Sequence, residues 1–333
     1  MSQLTLFSQT GFAGRNEALF LEAAPETGKD GQERGRCPFE SQELTGASSI
    51  TMDLQDYPSR YLYISGAFAV GGTFTRIAPD VKIYMRVPTI APVHLPMVGG
   101  ISEATQKKKF VLDFKSAKFE RIGRKRKHQL QKQEALSVGA AHSLAQTEPE
   151  VAGRPFVSRS LSEVESVRIA DGFFLKYGLL NLTSTHDPRT SRHPQIRFGK
   201  TEIRGLKLGK SKVKITLDVG PFNKYPTLEA FETAFREDSR LRQKLSSRFV
   251  TDPKTGRLHK NESGYVIGSL VEKVEGLPDD ASFDGFTITW PKFGKIILGE
   301  VLMGPYVRRV TLIRFKHSDG DIGSTCSGGS TWP

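Results

Sequence analysis

Hydrophobic and polar residues alternate along most of this chain with a period of two, the spacing that places i, i+2 and i+4 on one face of a strand. SSITMDL puts Ile50, Met52 and Leu54 on one side. RYLYISGAFAVGG is apolar on both sides and closes on Gly71 and Gly72, as a more fully buried strand would. In VKIYMRV, Val81, Ile83 and Met85 alternate with Lys82, Tyr84 and Arg86. Pro88, Pro92 and Pro96 then end the region, because proline cannot donate to a central ladder. KKKFVLDFKSAKF predicts another strand, with Phe110, Leu112 and Phe114 on its core side. The segment EVESVRIADGFFLKYGLLNLTSTHD predicts two strands, and QIRFGKTEIRGLKLGKSKVKITLDVG two or three, with Gly199, Gly205 and Gly209 as turn or bulge points. In KVKITLDV, Val213, Ile215, Leu217 and Val219 face inward while Lys212, Lys214, Thr216 and Asp218 face out.

One stretch breaks the period. In TLEAFETAFREDSRLRQKLSSRF, Leu228, Phe231, Phe235, Leu241, Leu245 and Phe249 recur at three, four and six residues. Thr227 follows Pro226 as a candidate N-cap. Glu229 and Glu232 sit early and Arg242, Lys244 and Arg248 late, as the helix dipole favours. This predicts one amphipathic helix over 227–249. Strands return in SGYVIGSLVEKV, SFDGFTITWPKFGKIILGEVLM and RRVTLIRFKH.

The expected fold is therefore all-β, sandwich-like with packed antiparallel sheets, plus that helix. Residues 1–48 are polar and aperiodic and read as a disordered segment. Residues 49–120 form an N-terminal β region and 161–317 a C-terminal one that carries the helix. Between them, 121–160 reads as a basic, flexible connector, a loop or short helix, and 318–333 as a flexible tail. The 333 residues have room for one large β domain or two lobes.

Three further features sharpen this. There are two cysteines, Cys37 and Cys326, and no CxxC pair, which excludes a cysteine zinc site and argues against a disulfide framework. The N-terminus lacks a basic leader with an apolar run, and the apolar run from Tyr61 to Gly72 is too short for a bilayer, so the expected location is cytoplasmic with no transmembrane segment. The net charge of +12 is concentrated. Residues 104–132 carry +9 and residues 195–214 carry +6, leaving the remainder at −3.

Those two segments are the main functional candidates. Lys107, Lys108, Lys109, Arg121, Arg124, Lys125, Arg126, Lys127 and Lys132 could follow a phosphate backbone or another acidic surface. RKRK also has the composition of a nuclear address, a pattern common by chance. The second segment adds Arg197, Lys200, Arg204, Lys207, Lys210, Lys212 and Lys214. The competing reading is a solvated loop in the first segment and, in the second, edge lysines that oppose aggregation. Placement decides it: cations from both segments must share one face to act together.

Candidate chemistry is sparse. His186, Asp187 and His193 lie in THDPRTSRHP, and with His142 they could form a divalent-metal site for a hydrolase. Polar loop histidines beside proline are common, and the spacing matches no metal motif. Ser143 beside His142 is no nucleophile–base pair, because neighbours on a strand point apart. GKSK at 209–212 lacks the upstream glycine and following helix of a phosphate loop. Asp279, Asp280 and Asp284 lack the alternation of a calcium loop, and Trp290, Phe286 and Phe293 read as core or rim aromatics. No catalytic set and no cofactor are implied. The expectation is a non-enzymatic binding or assembly protein whose basic surface takes an acidic protein or nucleic acid. The alternatives are the metal-assisted hydrolase and a homo-oligomeric subunit joined by exposed strand edges.

Overall fold

The computed structural model describes residues 63–78, 81–120, 124–170, 172–316 and 323–331. The strand expected at Ile50, Met52 and Leu54, the segment 1–48, Cys37 and Arg121 lie outside the described residues. In chain order the elements are β1 (Ile64–Ala78), β2 (Val81–Ile90), β3 (Val93–His94), β4 (Ile101–Gln106), β5 (Phe110–Asp113), β6 (Lys118–Glu120), α1 (Arg124–Leu130), β7 (Glu134–Val138), β8 (Ala140–Thr147), β9 (Phe156–Ile169) and β10 (Phe173–His186). Then come β11 (Gln195–Phe198), β12 (Glu202–Leu208), β13 (Ser211–Leu217), α2 (Gly220–Lys224), α3 (Leu228–Glu237), α4 (Ser239–Leu245), β14 (Val266–Ser269), β15 (Val271–Glu275), β16 (Ser282–Phe283), β17 (Thr287–Trp290), β18 (Gly294–Met303), β19 (Val307–Lys316) and β20 (Gly323–Thr331).

These strands form two antiparallel sheets, so the fold is all-β with few helices. The first runs β16-β17-β18-β19-β20-β1-β2-β6, with β14 beside β18 and β3 beside β1. The second runs β15-β13-β12-β10-β9-β7-β5, with β8 beside β9, β4 beside β8 and β11 beside β10. Both sheets draw on either side of the segment expected as a connector: β1 pairs with β20, and β4 and β5 reach β9 through β8 and β7, which lie in that segment.

The alternation read from the sequence sets the packed faces. Val164 and Val167 of β9, with Phe173, Leu175, Leu180 and Leu182 of β10, are buried in one cluster with Ile296, Leu298 and Val301 of β18 and Val310 and Ile313 of β19. Phe173 meets Phe315 edge-on at 4.6 Å and stacks on Phe293 at 5.7 Å, a joint between the two sheets that neither strand supplies alone. Phe293 and Trp290 are core residues as expected, and the Trp290 indole donates to Asp280 at 3.0 Å.

Three local expectations changed. Residues 134–147, read as loop or short helix, are β7 and β8. Their small residues Ala141, Ser143 and Ala145 are buried at alternate positions, a period that low hydrophobicity hides. Residues 323–331 of the Gly/Ser tail form β20, whose backbone pairs with β1 on one side and β19 on the other. Ladder hydrogen bonds need no large side chain. The segment 227–249 is α3 and α4 with a break at Asp238. The Asp238 carboxylate accepts from the amides of Arg240 and Leu241 at 2.9 and 3.0 Å and so caps a new helix, where the apolar spacing lengthens to six. Thr227 caps α3 as expected, accepting from the Ala230 amide at 3.2 Å.

Two buried arginines fasten this helical insert. Arg308 of β19 is 2% exposed and donates to the carbonyls of Ile196, Phe222 and Pro226 at 2.5, 3.5 and 3.3 Å. Burial pushes its guanidinium down to about 9. Arg248, 3% exposed, donates to the Asp218 carboxylate at 3.1 Å and to its carbonyl at 3.0 Å, and Lys244 reaches the same carboxylate at 2.9 Å. Burial opposes ionisation of Asp218, but the hydrogen bonds from Lys244 and Arg248 outweigh it and hold the carboxyl below its usual value.

Candidate anion-binding face of the second sheet

Cross-strand register sorts the side chains of the second sheet onto its two faces, and the rows on the side away from the first sheet include buried Ser137 and Leu179 among mostly exposed or half-buried residues. Side chains directly opposite on paired strands project to the same side, so the pairs can be followed across the sheet. One row, close to the turns that join β9 to β10 and β12 to β13, runs Val111, Ser137, Arg168, Phe174, Lys207, Lys212. Further along the strands come Glu165, Tyr177 and Arg204, and then His142, Glu163, Leu179 and Glu202.

The first of these rows is cationic around an aromatic ring. The Arg168 guanidinium carbon lies 4.4 Å from the centroid of Phe174, and the Lys207 ammonium lies 5.7 Å from the same centroid. Arg168, Lys207 and Lys212 are exposed and Phe174 is half-buried. Among the described residues none of the three cations forms an ion pair, nor does Lys210 in the adjoining turn. From β9 to β13 the row spans three strand spacings, roughly 14 Å.

The rows beyond it are neutralised. Arg204 stacks over Tyr177 at 4.2 Å and pairs with Glu202 at 3.3 Å, which also meets Lys200 at 3.2 Å. The Tyr177 hydroxyl donates to Glu163 at 2.7 Å, and burial together with that carboxylate pushes the phenol up to about 12. Lys214 is paired in register with Glu275 on β15.

Among the described residues, the cations of the two basic segments sit several strands apart. Lys107, Lys108 and Lys109 lie exposed in the turn from β4 to β5, and Lys109 meets Glu134 at 3.3 Å. β5 and β12 are four strand spacings apart in the second sheet, roughly 19 Å. Arg124, Lys125, Arg126 and Lys127 belong to α1, where the Lys127 ammonium sits 5.6 Å from the Phe119 centroid, and Lys132 is exposed just after it. Phe114 is fully buried and Phe110 packs against the core, as the alternation predicts.

The His/Asp reading is corrected by the same register. His142 stands opposite Glu163 on β9 and His186 opposite Phe156, seven residues along that strand, roughly 23 Å away. His142 is held by Glu103 at 2.9 Å and approaches Glu163 at 3.9 Å, while Ser143 is buried on the opposite side of β8. Asp187 is taken by Arg189 at 2.9 Å, and His193 packs on Tyr306 with ring centroids 4.8 Å apart. His186 donates from Nε2 to the Ser191 carbonyl at 3.0 Å, and burial pushes its imidazole below the usual value. Among the described residues no group of three or more His, Cys, Asp or Glu side chains is arranged to hold a metal ion.

The sequence reading missed Arg168 and Phe174. Both lie outside the two charge-dense windows, and Phe173–Phe174 reads as a single apolar pair. The signal was the alternation: with Phe173 and Leu175 inward, Phe174 must point out. Among the described residues no helix is long and apolar enough to cross a membrane.

The chain belongs to the family DUF8256, described as a domain of unknown function, whose profile matches residues 61–304 and so includes every residue of the cationic row. No curated protein and no solved structure matches the chain.

Proposed function

We propose that this member of the family is a non-enzymatic binding protein that holds an anionic polymer on the outward face of its second sheet. One observation carries the reading: Arg168, Lys207 and Lys212 stand in a single cross-strand row that has no carboxylate among the described residues, while Arg204 on the same sheet and Lys200 in the turn before its strand share Glu202. Like charges directly opposite on paired strands are unfavourable. Lys207 opposite Lys212 therefore costs the isolated fold stability that an anion recovers on binding.

Such binding weakens as salt releases its counterion advantage. The test is retention on immobilised heparin, a polyanion without bases. The protein should elute at substantially higher salt than a Lys207→Glu, Lys212→Glu double variant of equal thermal stability. Equal elution of the two proteins would remove the reading.

A second reading, self-association, has its own observation. Among the described residues β4 pairs only with β8, and Ile101 at its start is exposed together with Met97 and Val98. A free edge beside exposed apolar side chains is a template for pairing with a second copy. Light scattering that returns a monomer mass across a hundredfold concentration range would end it.

A further inference from the structure

From the same row we infer a ligand class: single-stranded nucleic acid, with one base stacked at Phe174 and the phosphates carried by Arg168, Lys207 and Lys212. The inference rests on the anion-binding reading and adds the role of the ring. A polyanion without bases needs only the cations. Phe174 is an apolar side chain on the side of β10 away from the core, half-buried with two cations over its ring. A ring with a guanidinium and an ammonium over it offers an unpaired nucleotide a cation–aromatic platform for the base and positive charge for the phosphates on either side. The Arg168 guanidinium over the ring can stack on a base in its own right, so the nucleotide need not leave Phe174 bare.

The surroundings favour one strand over two. Glu165 lies three residues along β9 from Arg168, roughly 10 Å, and Glu163 lies two residues further on. On β12, Glu202 stands opposite Leu179 in the row that includes Glu163. This band of carboxylates borders the cationic row on one side, and the chain turns at Gly172 and Gly209 border it on the other. The positive track is therefore about one row wide. A duplex carries two backbones across a groove of roughly 12 Å and keeps its bases stacked on each other, so its second backbone would overlie rows with no spare positive charge and Phe174 would have no base to meet.

The test compares a fluorescent single-stranded oligothymidylate, a blunt duplex of equal length, and heparin, each against the full chain at low salt. Anisotropy should show the single strand bound more tightly than the duplex. Phe174→Ala should weaken single-strand binding about tenfold, the scale of one lost base–aromatic stack, and shift heparin elution far less than Lys207→Glu, Lys212→Glu does. Phe174→Trp should retain binding, and its indole fluorescence should be quenched by the single strand; this variant keeps the test decisive if Phe174→Ala is poorly folded. Equal affinity for single strand and duplex, or no quenching of the Trp variant, overturns the inference. Charge-sensitive heparin retention with no nucleic-acid binding overturns it in favour of an acidic protein partner and leaves the anion-binding reading standing. Heparin elution unaffected by Lys207→Glu, Lys212→Glu removes that underlying reading instead.

Discussion

Arg308 and Arg248 differ from Arg168, Lys207 and Lys212 in what surrounds the charge. The first two are almost fully buried, and their hydrogen bonds go to the chain itself: the carbonyls of Ile196, Phe222 and Pro226 for Arg308, and the Asp218 carboxylate with the carbonyls of Asp218 and Ser269 for Arg248. The others stand on a sheet face, with an aromatic ring between Arg168 and Lys207, and have no carboxylate partner among the described residues. A cation in the interior must be satisfied by the fold, because an unpaired buried charge costs several kcal/mol. A cation in water has no such demand, so its position is free to serve a ligand. The difference separates charge that holds the helical insert from charge available for binding.

That separation can be broken at four points, from the largest expected effect downward. Arg308→Ala leaves the carbonyls of Ile196 and Phe222 buried beside a cavity, and should lower unfolding free energy by about 3–5 kcal/mol in urea denaturation. A smaller loss would mean that the guanidinium is not needed there. Asp218→Asn removes the counter-charge of buried Arg248 and should cost about 2–3 kcal/mol at neutral pH. Because the Asp218 carboxyl is held below its unfolded value, its contribution is complete above that unfolded value and is lost as pH falls through the lower folded one. The variant's stability should then converge on that of the parent in acid, and a gap that stays constant would refute the linkage.

Thr227→Ala, which removes the cap of α3, should cost about 1 kcal/mol with no change in heparin elution. Arg168→Ala should change stability by less than about 0.5 kcal/mol but lower the salt needed for elution. If the binding variants destabilise the protein as much as the buried ones, the distinction fails. If Thr227→Ala alters elution, the helical insert takes part in binding.

The strands were legible wherever large apolar residues alternated, as in Val213 with Lys212 and Lys214, or in the β18 and β19 segments. They were not legible where small or polar residues fill the buried positions. Ala141, Ser143 and Ala145 are buried because they face another layer, which composition does not reveal. β20 exists through its backbone ladders to β1 and β19. The helix at 227–249 was visible, and its break was marked by the six-residue gap, but Asp238 as a cap required the geometry of the turn.

For the candidate site, local alternation decided the sense of the key side chains: Phe174 lies opposite in sense to Phe173, and Lys207 and Lys212 to their apolar neighbours. Strand order was decided only in three dimensions. The side-chain period is local, whereas pairing brings β9, β10, β12 and β13 together through hydrogen bonds between backbones that all look alike. That pairing set Arg168 and Lys207 on either side of one ring, left the lysines of 107–109 at the far margin, and kept His142 and His186 apart.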